Sequence, residues 1–188
     1  DFEHGRKMFA AANCFSCHTV PNEELVNVGG HSTGTSTFEF VEWSQGQIRH
    51  NFLDSLKAET DPVNVTRPMS RKRPMYVVGR ALDLEYSLRG MAEATESGNY
   101  SRAMSRRVRS ALAEMQAIAQ SVELAEVEEM IRVVRGVKVV PGNRTALLDA
   151  ADRVGAATRR FLARDGVQLA AHDPLVLGSA PEGTVPEP

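Results

Sequence analysis

Three side chains within five positions hold the chemistry of this chain: Cys14, Cys17 and His18, in the string Asn13-Cys14-Phe15-Ser16-Cys17-His18. The chain has two cysteines in all. A pair so close makes a poor structural staple, because the loop it would close is tiny. The spacing therefore points to chemistry, and C-x-x-C-H is the attachment signature of a c-type haem. Two thiols on one helical turn reach the two vinyl groups on one edge of the macrocycle and form thioethers. The next residue then swings its imidazole under the iron. A thioredoxin-like redox pair has no need of that histidine, and a zinc site needs a second pair of ligands that two cysteines cannot supply. The residues point to one covalently bound haem c, with His18 as an axial iron ligand.

Iron in such a site takes a second histidine, a methionine or an open position opposite the first ligand. His50 is the first choice for that place. It borders the apolar side of a helix expected to carry Ile48, Phe52 and Leu56. His31 is the runner-up, in the loop Gly29-Gly30-His31-Ser32-Thr33-Gly34, whose small residues allow close backbone approach. Met69 and Met75 rank below both. They follow Pro68 and Pro74 in a stretch read as a loop before a long helix. His4, Met8 and His172 are weaker still.

Gly5 to Asn13 reads as a short helix leading into an attachment loop that holds the cysteines. This opening resembles that of many class I cytochromes c, where a glycine and an aromatic lie on a helix packed against the haem edge. The run from Trp43 to His50 looks like segments of multihaem cytochromes of the nitrifier tetrahaem type. In those proteins such a histidine is a distal ligand, but they carry several C-x-x-C-H sites where this chain has one. The resemblance implies a c-type cytochrome that transfers electrons through its haem.

The elements that must position these groups are helical. Val77, Ala81, Leu84, Leu88 and Met91 follow the four-and-three spacing of a buried stripe. Gly98-Asn99 breaks it. Met104, Val108, Ala111, Met115, Ile118 and Val122 form a second stripe. Leu124, Val127, Ile131 and Val134 form a third, ended by Gly136, or continue the second with a bend. Leu147, Ala151, Val154, Thr158 and Phe161 form the last, ending near Gly166. The expected fold is mainly α: a small cytochrome c-like haem segment over residues 1–66, then an antiparallel helical bundle over 67–170. A strand pair near Phe38 to Glu42 is allowed for, and 171–188 reads as an extended, proline-rich tail.

The 188 residues carry 22 basic and 24 acidic side chains, a formal net charge of -2. That balance argues against a nucleic-acid binder. No apolar run of about 18 residues exists, so no membrane span is expected. The chain opens at Asp1 without a basic-then-apolar leader, which reads as a mature form in the periplasm or another extracytoplasmic space. Arg102, Arg106, Arg107 and Arg109 crowd one helix, and Glu123, Glu126, Glu128 and Glu129 the next. Such runs read as solvated faces or as docking surfaces for a charged redox partner. The expected function is electron transfer, as a soluble carrier or a subunit of a redox complex with other cytochromes. The alternative is a five-coordinate haem that binds a small gas or reduces peroxide.

Overall fold

The computed structural model describes residues 11–32, 38–44 and 69–164. Residues 11–18 form α1. There follow α2 (Glu23–Asn27), the single turn α3 (Phe40–Glu42), α4 (Met69–Glu93), α5 (Asn99–Ser121), α6 (Ala125–Arg135) and α7 (Arg144–Ala163). The fold is mainly α, a bundle of packed helices, with no strand among the described residues.

Side-chain pairs fix the directions. Tyr76 meets Glu114 and Asp83 meets Arg107, so α4 and α5 run antiparallel. Arg89 meets Asp152 and Glu93 meets Arg144, which sets α7 antiparallel to α4. Glu129 with Arg160 and Glu126 with Arg164 do the same for α6 and α7. The expected stripes are the buried ones: Val77, Ala81, Leu84, Leu88 and Leu147 have no exposed surface, and Met104, Val108, Ala111 and Met115 lie beside them. The second and third stripes are separate helices, because Val122 and Leu124 are both extended and stop the ladder between them.

α4 is the central element. Every residue from 76 to 85 is buried, so neighbours cover this helix on all sides. It starts earlier than its apolar stripe: Met69 opens it, and Pro74 and Met75 lie inside it, where a loop was expected. Pro74 forfeits one ladder bond, to the Ser70 carbonyl. That loss falls just beyond the first turn, whose N–H groups have no intrahelical partner in any case.

The expected strand near Phe38 to Glu42 is the turn α3 instead, closed by the Trp43 N–H donating to the Glu39 carbonyl at 3.0 Å. Phe40 and Val41 are both buried, which a strand alternating between two faces would not achieve against one core. Gly79 on α4 permits the contact, since a Cβ there would lie 2.9 Å from Phe40 Cβ.

α1 to α3 share the core of the bundle: Ala11, Phe15, Val26, Phe38, Phe40 and Val41 belong to one hydrophobic cluster with the stripes of α4 to α7. α2 clamps the turn between α4 and α5. Glu23 accepts from the Thr95 N–H (2.8 Å), the Thr95 hydroxyl (2.7 Å) and the Glu96 N–H (3.4 Å). Gly98 precedes α5 and has no side chain to cap it. Asn27 supplies the cap from α2, its Oδ1 accepting from the Tyr100 N–H at 3.0 Å.

Candidate functional site

Cys14, Cys17 and His18 all lie on α1, the helix continuing through both cysteines to the histidine. What holds α1 in place is the residue between the first cysteine and Ser16. Phe15 is fully buried, its ring 5.0 Å from Phe38 in an edge-on pair and 6.4 Å from both Phe40 and Tyr86. Cys14 is half-buried against this cluster, while Cys17 is exposed on the outer side. Ser16 closes its own turn, its hydroxyl donating to the Asn13 carbonyl at 2.8 Å. Thr19 does likewise to Phe15 at 2.7 Å.

α1 ends just past His18. Val20 takes a positive φ of 48°, and its N–H donates to the Cys17 carbonyl at 2.9 Å. That conformation costs a β-branched residue about 1–2 kcal/mol. It turns the chain sharply toward Asn22, whose side chain caps α2 through the Leu25 N–H at 2.8 Å.

The His18 imidazole sits in an aromatic setting. It lies flat on Phe38, with centroids 4.3 Å apart and planes within 4°. Trp43 stands across the edge of that stack, 5.2 Å from His18 and 5.3 Å from Phe38, and close to perpendicular to both. Stacking engages the face of the imidazole. Its nitrogen lone pair lies in the ring plane, so a metal bond at the edge and a phenyl ring on the face are compatible. The aromatic pairs are worth about 0.5–1.5 kcal/mol each beyond their burial, which fixes the ring on the fold.

The donor set can be read against three chemistries. Burial pushes the Cys14 thiol above its ordinary range; a backbone hydrogen bond offsets part of this and neighbouring Cys17 adds to it. A dithiol redox centre needs the reverse, an attacking sulfur held as thiolate. Among the described residues no three Cys, His, Asp or Glu side chains converge on a point that could hold a metal ion. Two thiols one turn apart, one half-buried and one exposed, with an adjoining oriented imidazole, fit covalent haem attachment.

The candidates for the second axial position divide. His50, His4, His172 and Met8 lie outside the described residues, as do residues 45–68 and the tail 171–188. His31 is exposed just past α2, its Nδ1 2.7 Å from the Ser32 carbonyl and its N–H donating to the Leu25 carbonyl. Met69 opens α4. Met75 is half-buried against the core. It lies one turn before Gly79 and eleven residues before Tyr86, so all three share one stripe of α4. Phe40 packs on Gly79 and Phe15 on Tyr86, which makes this the stripe that α1 and α3 cover.

Sequence patterning missed a polar seam beside the site. Lys72, Tyr76, Arg80, Asp83 and Ser87 follow helical spacing along α4, and each is at most 9% exposed. Arg107 of α5 meets Asp83 at 2.6 Å, and Tyr76 donates to Glu114 at 2.9 Å. Arg80 lies 3.5 Å from Glu39, 4.0 Å from Asp83 and over the Tyr76 ring. Burial pushes the Asp83 carboxyl above its ordinary range, with Arg107, Arg80 and a Ser87 hydrogen bond opposing. Arg107 therefore does not belong to a solvated face, unlike exposed Arg102, Arg106 and Arg109. Among the described residues no helix is long and apolar enough to cross a membrane. Comparison with models of known families, with curated proteins and with solved structures finds no match for this chain.

Proposed function

We propose that this chain carries one haem c, thioether-linked at Cys14 and Cys17 with His18 on the iron, and that it transfers single electrons as a carrier or as a subunit of a redox complex. The observation that carries the reading is C-x-x-C-H on one docked helix, with His18 held between Phe38 and Trp43. Bound there, haem supplies a one-electron couple whose potential depends on ligand identity, burial and hydrogen bonding. The protein's part is to fix the donors. Phe15 anchors the helix that bears both thiols, Phe38 and Trp43 orient the imidazole, and Val20 turns the chain away after it.

For the opposite axial place, Met75 gains support from the stripe it shares with Gly79 and Tyr86, while His31 is engaged with its neighbour's carbonyl. His50 stays a candidate on sequence. The reading brings with it a periplasmic or other extracytoplasmic location and protein redox partners. Among the described residues exposed Arg102 and Arg109 bond to neutral neighbours, Asn99 and Ser105, whereas Glu126 and Glu129 are tied to α7. A basic docking face on α5 follows, and electron-transfer rates that fall with added salt are expected from it.

Absorption spectra of the oxidised and reduced protein test the proposal. A c-type haem spectrum is expected, and a near-infrared band characteristic of methionine ligation that vanishes in Met75→Ala would assign the second ligand. Rapid and complete carbon monoxide binding by the reduced protein would shift the reading to the five-coordinate alternative. Absence of any Soret band in matured protein would defeat it.

A further inference from the structure

We infer that the buried Glu39–Arg80 ion pair, braced through Asp83 and Arg107, is a positioning device that sets the angle at which His18 presents its imidazole. Glu39 stands between Phe38, which lies flat on His18, and Phe40, which packs on Gly79. Wherever the Glu39 backbone is held, its two neighbours follow. Arg80 holds it: the pair is 3.5 Å apart, with the side chains 9% and 14% exposed. Arg80 Nε is buried with no hydrogen-bond acceptor among the described residues. Its compensation is ionic, from Glu39 and Asp83, together with the face of Tyr76. Asp83 is in turn fixed across the helix interface by Arg107 at 2.6 Å and by the Ser87 hydroxyl at 3.5 Å.

The chain of contacts therefore runs from α5 through α4 to the residue before α3, and ends on the face of the imidazole. Apolar packing alone would let α3 slide along α4, because such contacts are not directional. A largely buried charge pair favours one register, since displacement separates two poorly solvated ions. That register places Phe38 over His18. The device differs from a ligand because neither Glu39 nor Arg80 is required to touch the iron. The pose of the imidazole is a property of the chain, and its importance for the iron rests on the function proposed above.

The test uses Arg80→Met, the isosteric Glu39→Gln, the conservative Arg80→Lys, and Arg144→Ala as a control at an exposed ion pair. In the haem-free chain the His18 ring protons should be shifted upfield by the Phe38 ring. In the oxidised holoprotein the order of the haem-methyl resonances reports the imidazole plane. Arg80→Met and Glu39→Gln are expected to keep a helical circular dichroism spectrum, to lose the upfield shift, and to reorder the haem-methyl resonances. Arg80→Lys and Arg144→Ala should leave both signals in place. Should Arg80→Met fail to fold, Glu39→Gln carries the test, since it removes charge without volume. A folded Glu39→Gln protein with unchanged His18 shifts would overturn the inference. A chain that takes up no haem would defeat the proposed function alone, because the ring shifts still report the pose.

Discussion

Replacing Phe15 with alanine empties the position that fastens the cysteine helix to the bundle. The side chain is fully buried and its ring meets Phe38, Phe40 and Tyr86. Truncating a core phenylalanine costs about 3–5 kcal/mol, the transfer term and the cavity together. At about 2–4 °C per kcal/mol for a chain of this size, the midpoint should fall by about 6–20 °C. Thermal and urea unfolding of the haem-free chain measure this, followed by circular dichroism and by emission from Trp43, the one tryptophan. Trp43 adjoins both Phe38 and His18, so its emission should change in the folded variant as well. Ser16→Ala is the comparison: it removes a hydroxyl bonded within its own turn and should alter stability by no more than about 0.5 kcal/mol. A Phe15→Ala loss below about 1 kcal/mol, with unchanged Trp43 emission, would refute the docking of α1 onto α4.

Asp83→Ala removes the carboxylate that Arg80 and Arg107 share in the interior, and should cost about 3–5 kcal/mol in urea unfolding at neutral pH. Asn27→Ala removes the cap that α2 lends to α5, an expected loss of about 1 kcal/mol by the same measurement. Burial raises the Glu23 carboxyl, but hydrogen bonds from Thr95 and Glu96 outweigh it and hold the group below its ordinary value. Its folded pKa is depressed, so its stabilising contribution is complete above the unfolded value. It disappears as pH falls from there through the folded value. A pH series of unfolding midpoints should show this acid-side loss in the parent and a shallower one in Glu23→Gln.

Three of the four apolar stripes were legible because α5, α6 and α7 bury one face and solvate the other. The donors of α1 were legible because Cys14, Cys17 and His18 are neighbours in sequence and share one helix. α4 was harder to read. A helix covered on every side has no solvent face to mark its period, so the buried line of Lys72, Tyr76, Arg80, Asp83 and Ser87 had no apolar signature. Pro74 suggested a loop because proline inside a helix forfeits a ladder bond, yet so close to the start of α4 only the bond to the Ser70 carbonyl is lost. Arg107 carried a usable signal. It falls at the border of the Met104, Val108, Ala111 stripe, while Arg102, Arg106 and Arg109 lie opposite it. Nothing local foretold that Phe38 would lie on His18, since that contact joins residues twenty apart through Phe15, Gly79 and Glu39.

The central claim is a covalent one, and intact mass spectrometry under denaturing conditions addresses it directly. Protein purified from a host able to attach haem to C-x-x-C-H motifs should show the polypeptide plus one haem, with neither cysteine open to alkylation. Cys14→Ala/Cys17→Ala should show the polypeptide alone. The bare polypeptide mass in the parent, with both sulfurs alkylated, would contradict the account.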